Sequence, residues 1–144
     1  MSSPESFEQA IEASHEALGE IKRGNPEPFF ELYSRSGDAT LANPYGPPAR
    51  GSNEIEAGGR RAAANHRGGK AVGFETFAKF ATADLGYVVE IEQFEAKVAG
   101  ADAISPVALR VTSVFRREDS GWKVLHRHAD PITAPRSGES VIQS

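Results

Sequence analysis

The chain contains no cysteine. Disulfides, thiol nucleophiles and thiolate metal sites are therefore excluded as devices of these 144 residues. No stretch approaches the roughly 20 consecutive apolar residues that a membrane helix needs, so no membrane partner is expected. Basic residues are scattered rather than clustered, and the net charge is −4. That distribution lacks the footprint of a nucleic-acid groove or of an anionic membrane surface. The opening MSSPESFEQ carries acids and no apolar run, so a signal peptide is not expected and a cytoplasmic location is. Core material is also lean, at 39% hydrophobic against 25% charged residues. A domain of this size buries roughly two-thirds of its unfolded surface, and covering one more face with a partner would help.

What is present falls into two halves. Ser3–Pro4–Glu5 has the form of a helix start, and Phe7, Ile11, Ser14, Leu18 and Ile21 recur at helical spacing up to Gly24. Asn25–Pro26–Glu27 starts a second, short helix carrying Phe29, Phe30, Leu32 and Tyr33. A short strand over Asp38–Ala42 runs into Asn43–Pro44–Tyr45–Gly46–Pro47–Pro48, which no regular element accommodates. A third helix is expected over Asn53–His66, with Gly58 and Gly59 inside it costing about 1 kcal/mol each relative to alanine. Either something packs close against those glycines or the helix is broken there.

From Ala71 onward the pattern is β. Val72–Thr82 reads as one strand, and Leu85, Tyr87, Val89 and Ile91 alternate with Gly86, Val88, Glu90 and Glu92 along another. The Glu90/Glu92 pair is expected to face outward, and His15 to lie at the surface of the first helix. Val107–Asp130 then reads as a long hairpin turning at Asp119–Ser120–Gly121. Val107, Leu109, Val111, Ser113 and Phe115 share one face. Straight pairing sets Phe115 opposite Val124, Ser113 opposite His126 and Val111 opposite His128. One face is then apolar except for Ser113, His126, His128 and Asp130 at its far end, the pattern of a lined pocket. Helices followed by an antiparallel meander predict an α+β fold, as one domain over residues 1–131 with a Pro-, Ser- and Gly-rich tail over 132–144.

The order of elements, with ANPYGPPARGSNEI after the first strand and SGWKVLHRHAD near the end, resembles the nuclear transport factor 2-like superfamily over residues 5–131. It looks closest to the SnoaL-like and ketosteroid-isomerase-like branches and to the association domain of calcium/calmodulin-dependent protein kinases. GDATLANPYG and WKVLHRH are the most specific pieces. The resemblance implies a cone: a curved mixed sheet wrapped round three N-terminal helices (a cystatin-like α+β barrel), with an internal pocket and a homodimer across the outer sheet face. The fold serves many activities and does not settle function. Matched to ketosteroid isomerases, Asn43 stands at the position of the catalytic aspartate, Ala17 at that of the oxyanion-hole tyrosine and Ser113 at that of the protonated aspartate. An amide has no basic lone pair for abstracting a carbon-bound proton, so ketosteroid isomerisation is not expected. The kinase association domains carry a two-histidine run where His126 and His128 stand.

Two residues apart on one strand, His126 and His128 project from the same face roughly 6–7 Å apart. They are the candidate catalytic pair, for proton transfer or hydrogen bonding; imidazoles satisfied by backbone or by Asp130 are the bland counterpart. A metal would need Asp130 or His66 as third ligand, and no further cluster supports one, so neither metal nor cofactor is expected. Asn43, Tyr45, Ser113 and Asp130 are candidate ligand-binding groups, with Tyr87 and Trp122 as aromatic walls. Two functions stay open. One is a binder of a small apolar ligand, with isomerase-, cyclase- or lyase-type acid–base chemistry on a carbonyl compound. The other is a non-catalytic dimerisation or sensing module.

Overall fold

A computed structural model describes residues 4–143 of the chain. The cap expected at Ser3 lies outside those residues. Helix α1 (Phe7–Lys22) is capped three residues later, where the Ser6 side chain accepts from the Gln9 amide at 3.1 Å. Its Ala10, Ile11, Ser14, Ala17, Leu18 and Ile21 are buried, so the stripe read from the sequence is the face that packs. Gly24, at φ 88°, ends it in a left-handed conformation that side-chain-bearing residues disfavour. Helix α2 (Glu27–Leu32) follows, then strands β1 (Thr40–Ala42) and β2 (Ala49–Arg50) and helix α3 (Ser52–Ala64).

Gly58 and Gly59 do not break α3. A Cβ on Gly59 would stand 2.4 Å from the Phe30 ring, so the glycine is the space that ring occupies. Phe30 is buried, and its packing compensates the helix-propensity cost.

Four long strands complete the chain: β3 (His66–Ala81), β4 (Leu85–Val98), β5 (Ser105–Glu118) and β6 (Gly121–Asp130). With β1 and β2 they form one curved, unclosed sheet of order β2-β1-β6-β5-β4-β3. The β1–β6 pairing is parallel and the others antiparallel. Strand β3 begins earlier than expected because its pairing with β4 passes three irregularities, starting at His66 opposite Val98. The helices cover the inner face. One core cluster joins Leu18, Phe29, Phe30 and Leu41 to Val88, Phe115, Trp122 and Val124. A second, of Phe94, Ala96, Leu109, Val111 and Ala129, sits at the other end. Phe115 is fully buried, with the Phe7 ring edge-on at 5.7 Å; burial of such a ring is worth about 1.5–3 kcal/mol. Beyond β6 the described residues are exposed apart from half-buried Ile132, and they include a 3-10 turn over Gly138–Val141.

The hairpin departs from straight pairing at one residue. Phe115 faces Val124, yet Val114 faces His126, so Leu125 is an extra residue in β6. Trp122 and Val124 point inward before the bulge, and Arg127 and Ala129 after it. The expected partners Ser113–His126 and Val111–His128 are replaced by Val114–His126 and Thr112–His128, on the outer face. A slip of one residue moves every following side chain across the sheet. On β4 the expected facing is likewise reversed. Glu90 and Glu92 are each 1% exposed and point inward, while Leu85 and Tyr87 lie outside. Alternation finds two faces without saying which is covered, and here cations from other elements make the acidic face the buried one.

Candidate functional site

The chemistry inside the cone starts at the last turn of α1. Lys22 is 2% exposed, and its ammonium donates to Glu92 Oε2. The bulge in β6 delivers Arg127 from the opposite side, with Nη2 donating to Glu92 Oε1 at 2.6 Å. One buried carboxylate thus serves two buried cations. Burial works to raise the Glu92 carboxyl, but Arg127 and Lys22 outweigh it and hold the group at about 2. Lys22 is pushed down from the usual lysine range by burial, which Glu92 only partly offsets and Arg127 reinforces. The Lys22 Nζ lies 4.2 Å from the Phe94 ring centroid, a cation–π contact beneath the cluster.

Phe94 also meets His66, at the junction of α3 and β3, in an edge contact with ring centroids 4.9 Å apart. Its Nε2 is 2.7 Å from the Tyr45 hydroxyl. Its Nδ1 is buried without a hydrogen-bond partner, alone in this among the described side-chain atoms. Burial first, then the neighbouring Lys22 and with it Arg127, lower His66 to about 4, so the ring is neutral at pH 7. Burial and Glu92 raise the Tyr45 phenol.

Lys22, Arg127, Tyr45 and His66 line a cavity of about 30 Å³ whose walls also include Leu18 and Asn43. Such a space holds about two water-sized atoms. Leu41 and Asn43 also wall a second cavity of about 190 Å³, between the 43–48 loop and α3, with Arg61 at its side. The largest concavity, about 530 Å³, is an open trough over α1. Its polar walls pair locally, Arg23 with Glu20 and His15 with Glu90 at 2.9 Å, leaving no buried group in want of a partner. The small inner cavity is therefore the candidate site.

Of the groups expected from sequence, Tyr45 and Asn43 reach this cavity. Asn43 spends its amide on local backbone, accepting from the Tyr45 N–H at 2.9 Å and donating to the Gly58 carbonyl at 3.2 Å. It shapes the loop. Ser113 is buried on the inner face opposite Arg127, outside the cavity wall. His126 and His128 are corrected to the outer face, where the bulge puts them. His126 Nδ1 contacts Thr40 Oγ1 at 2.8 Å, and His128 Nε2 contacts Asp130 Oδ2 at 3.1 Å. Asp130 joins them there, bound to Arg110 at 2.8 Å. Burial, followed by His128, lowers His126. Trp122 is 5% exposed in the core beside Phe7, outside the wall of the inner cavity. Tyr87 faces outward at 41% exposure. His15 is not a free surface group; it stacks on Phe74 at 3.6 Å and meets Glu90. The sheet separates His66 from the two outer histidines, and among the described residues no three His, Asp or Glu side chains gather as a metal site would require.

Sequence reading missed Lys22, Glu92 and Arg127, and named His66 only as a conceivable metal ligand. A lysine at a helix end and an arginine between two histidines both look solvated until the register is known.

The model of the SnoaL-like domain family matches residues 8–134. No curated protein matches the chain. Among solved structures, the chain is similar to a Thiobacillus denitrificans protein assigned as a calcium/calmodulin-dependent protein kinase type II association domain. The two share 21% identity with a TM-score of 0.72, covering 92% of this chain and 100% of the other. A Streptomyces avermitilis protein assigned as a dehydratase of the nuclear transport factor 2-like family shares 23% identity with a TM-score of 0.65, covering 87% and 93%. A ketosteroid isomerase-like protein from Erwinia carotovora shares 16% identity with a TM-score of 0.70, covering 87% and 95%. At these identities the likeness establishes the fold.

Proposed function

The chain belongs to the SnoaL-like domain family, and from that premise we propose that it binds a small organic molecule inside the cone, with Tyr45 and His66 as its hydrogen-bonding or proton-transferring pair. The observation that carries this reading is the unpartnered His66 Nδ1. A buried polar atom without a partner costs about 1–3 kcal/mol, which a ligand group relieves. The Tyr45 contact couples the tautomer to the direction of the hydroxyl hydrogen bond. If the hydroxyl donates to Nε2, Nδ1 carries the proton and donates into the cavity; if Nε2 donates, Nδ1 accepts there. A ring held at about 4 is a weak base, better suited to polarising a carbonyl than to abstracting a proton at pH 7. Asn43 stays without a catalytic proton role, so ketosteroid isomerisation is not part of the proposal. Native mass spectrometry of the purified protein tests it: a co-purifying small molecule is expected, depleted by His66→Ala and by Tyr45→Phe. Retention of the same molecule at wild-type level in both variants would remove the reading.

A second reading, compatible with the first, is assembly through the outer sheet face. Tyr87, Leu85 and Phe80 are 41%, 46% and 63% exposed, and Phe80 pairs with Tyr87 across strands β3 and β4. Val89, Ile91 and Val114 add half-buried apolar surface on the same side. An exposed apolar patch of this kind suits an isologous dimer. Sedimentation velocity at tens of micromolar is expected to show a dimer that Tyr87→Asp dissociates. A wild-type monomer would end this reading.

A further inference from the structure

We infer that the inner cavity is an oxyanion site that takes a small carboxylate, with its head held by Arg127 and Lys22. This rests on the reading that the cavity binds a ligand at all, and it names the class of that ligand.

The first argument is charge. Lys22 and Arg127 bring two cations to the cavity, and Glu92 brings one anion. His66 and Tyr45 are neutral at pH 7. Glu90, two residues along β4, turns both carboxylate oxygens to His15 at 3.1 and 2.9 Å instead. With Lys22 protonated, one positive charge is in excess among Lys22, Arg127 and Glu92, which are 2%, 6% and 1% exposed. Burial answers that excess by pushing Lys22 toward its neutral form; a bound carboxylate answers it by keeping the ammonium charged, which a neutral ligand does not do.

The second argument is hydrogen-bond inventory. A guanidinium carries five N–H donors and an ammonium three. Among the described residues, one side-chain hydrogen bond is made by Arg127 and one by Lys22, and both end on Glu92. Both oxygens of Glu92 are thereby engaged, and the Tyr45 hydroxyl is occupied by His66. The walls are rich in N–H groups and poor in acceptors. A carboxylate answers that surface, since it only accepts and pairs with a guanidinium in a planar fork.

The third argument is size. About 30 Å³ has room for little beyond a carboxylate head, and the 190 Å³ space lies on the other side of the shared wall of Leu41 and Asn43. A carboxylate with a short tail fits where the Leu41 and Asn43 side chains part to join the two spaces; a polycyclic acid does not.

Binding has a signature at a third residue. Lys22 and Arg127 are among the causes that depress His66, after burial. An anion between them offsets their effect, so the His66 imidazole becomes more basic when the site fills. The cavity would then ready its own proton acceptor only when occupied.

The test uses the whole chain, titrated by calorimetry and by NMR of the His66 ring with acetate, propionate and butyrate, the matching amides, and sodium nitrate. The carboxylates are expected to bind at least about tenfold more tightly than amides of the same shape, to gain affinity with chain length, and to raise the His66 titration midpoint. Arg127→Gln is expected to abolish that preference. Should the variant not fold, the acid-against-amide comparison on the wild-type chain decides alone. Equal affinity for acid and amide, with the His66 signal perturbed by both, overturns the anion inference and leaves the cavity reading intact. Nitrate binding as tightly as butyrate makes this an inorganic-anion site and overturns the carboxylate assignment. No perturbation of His66 by any of them, together with a protein free of bound small molecules, overturns both.

Discussion

Taking the buried cluster apart from its two sides is expected to give opposite results. Glu92→Gln removes the anion and leaves Lys22 and Arg127, 2% and 6% exposed, facing each other without a counter-charge. Breaking a buried ion pair from one side costs about 3–5 kcal/mol. With a urea slope of about 2 kcal/mol per molar for a domain of this size, the unfolding midpoint falls by about 2 M. Lys22→Met removes the surplus cation instead. Glu92 and Arg127 remain as a one-to-one pair, and a flexible thioether takes the ammonium's place against the Phe94 ring. The expected change is within about 1 kcal/mol of wild type, in either direction. Urea unfolding followed by Trp122 fluorescence measures both, provided the slopes agree. Trp122 is buried beside Phe7 and Phe115, so its emission reports the core. Equal and large losses from the two substitutions would show that Lys22 is an integral partner rather than the excess charge, and the reasoning about the cavity would fail with it.

Three further outcomes follow from the same coordinates. Glu92 titrates at about 2 in the fold against an ordinary 4.5, so its stabilisation is fully present above 4.5 and is lost as pH falls toward 2; the stability gap between wild type and Glu92→Gln is expected to close over that window in urea titrations. Gly59→Ala forces a methyl to 2.4 Å from the Phe30 ring and is expected to destabilise by about 1–3 kcal/mol by thermal melting, although helix propensity alone would give about 1 kcal/mol of stabilisation. His126→Ala and His128→Ala are expected to leave ligand occupancy unchanged by native mass spectrometry. His126→Ala costs about 1 kcal/mol for its lost contact to Thr40.

The architecture was legible because it rests on local signals. The stripe on α1, the punctuation at Gly24 and Gly51, and the alternation along β5 each fix an element without tertiary information. The site was less legible, for two reasons. Val114 and Phe115 look like ordinary neighbours, and nothing near Leu125 announces that Val114 pairs one residue further along β6 than straight counting allows. The facing of β4 depended on Lys22 and Arg127, which arrive from α1 and β6; read alone, Leu85, Tyr87, Val89 and Ile91 are the more apolar set and look like the core. Tyr45 was found because a proline-bounded loop has few places to go. Its partner His66 was hidden at a helix end.

Leu125 gives β6 a parity. Residues before it face inward when even-numbered, and residues after it when odd-numbered. Deleting that residue would leave His126, Arg127 and His128 on the faces they now occupy, because the bulge and the odd count vanish together. Pairing the intact strand straight, with Leu125 opposite Val114, would instead bring two imidazoles under the helices and send the guanidinium outside. A cationic chamber and an imidazole chamber thus lie one register step apart in the same scaffold. The presence of a bulge carries as much information about the interior as the identities of the residues that follow it.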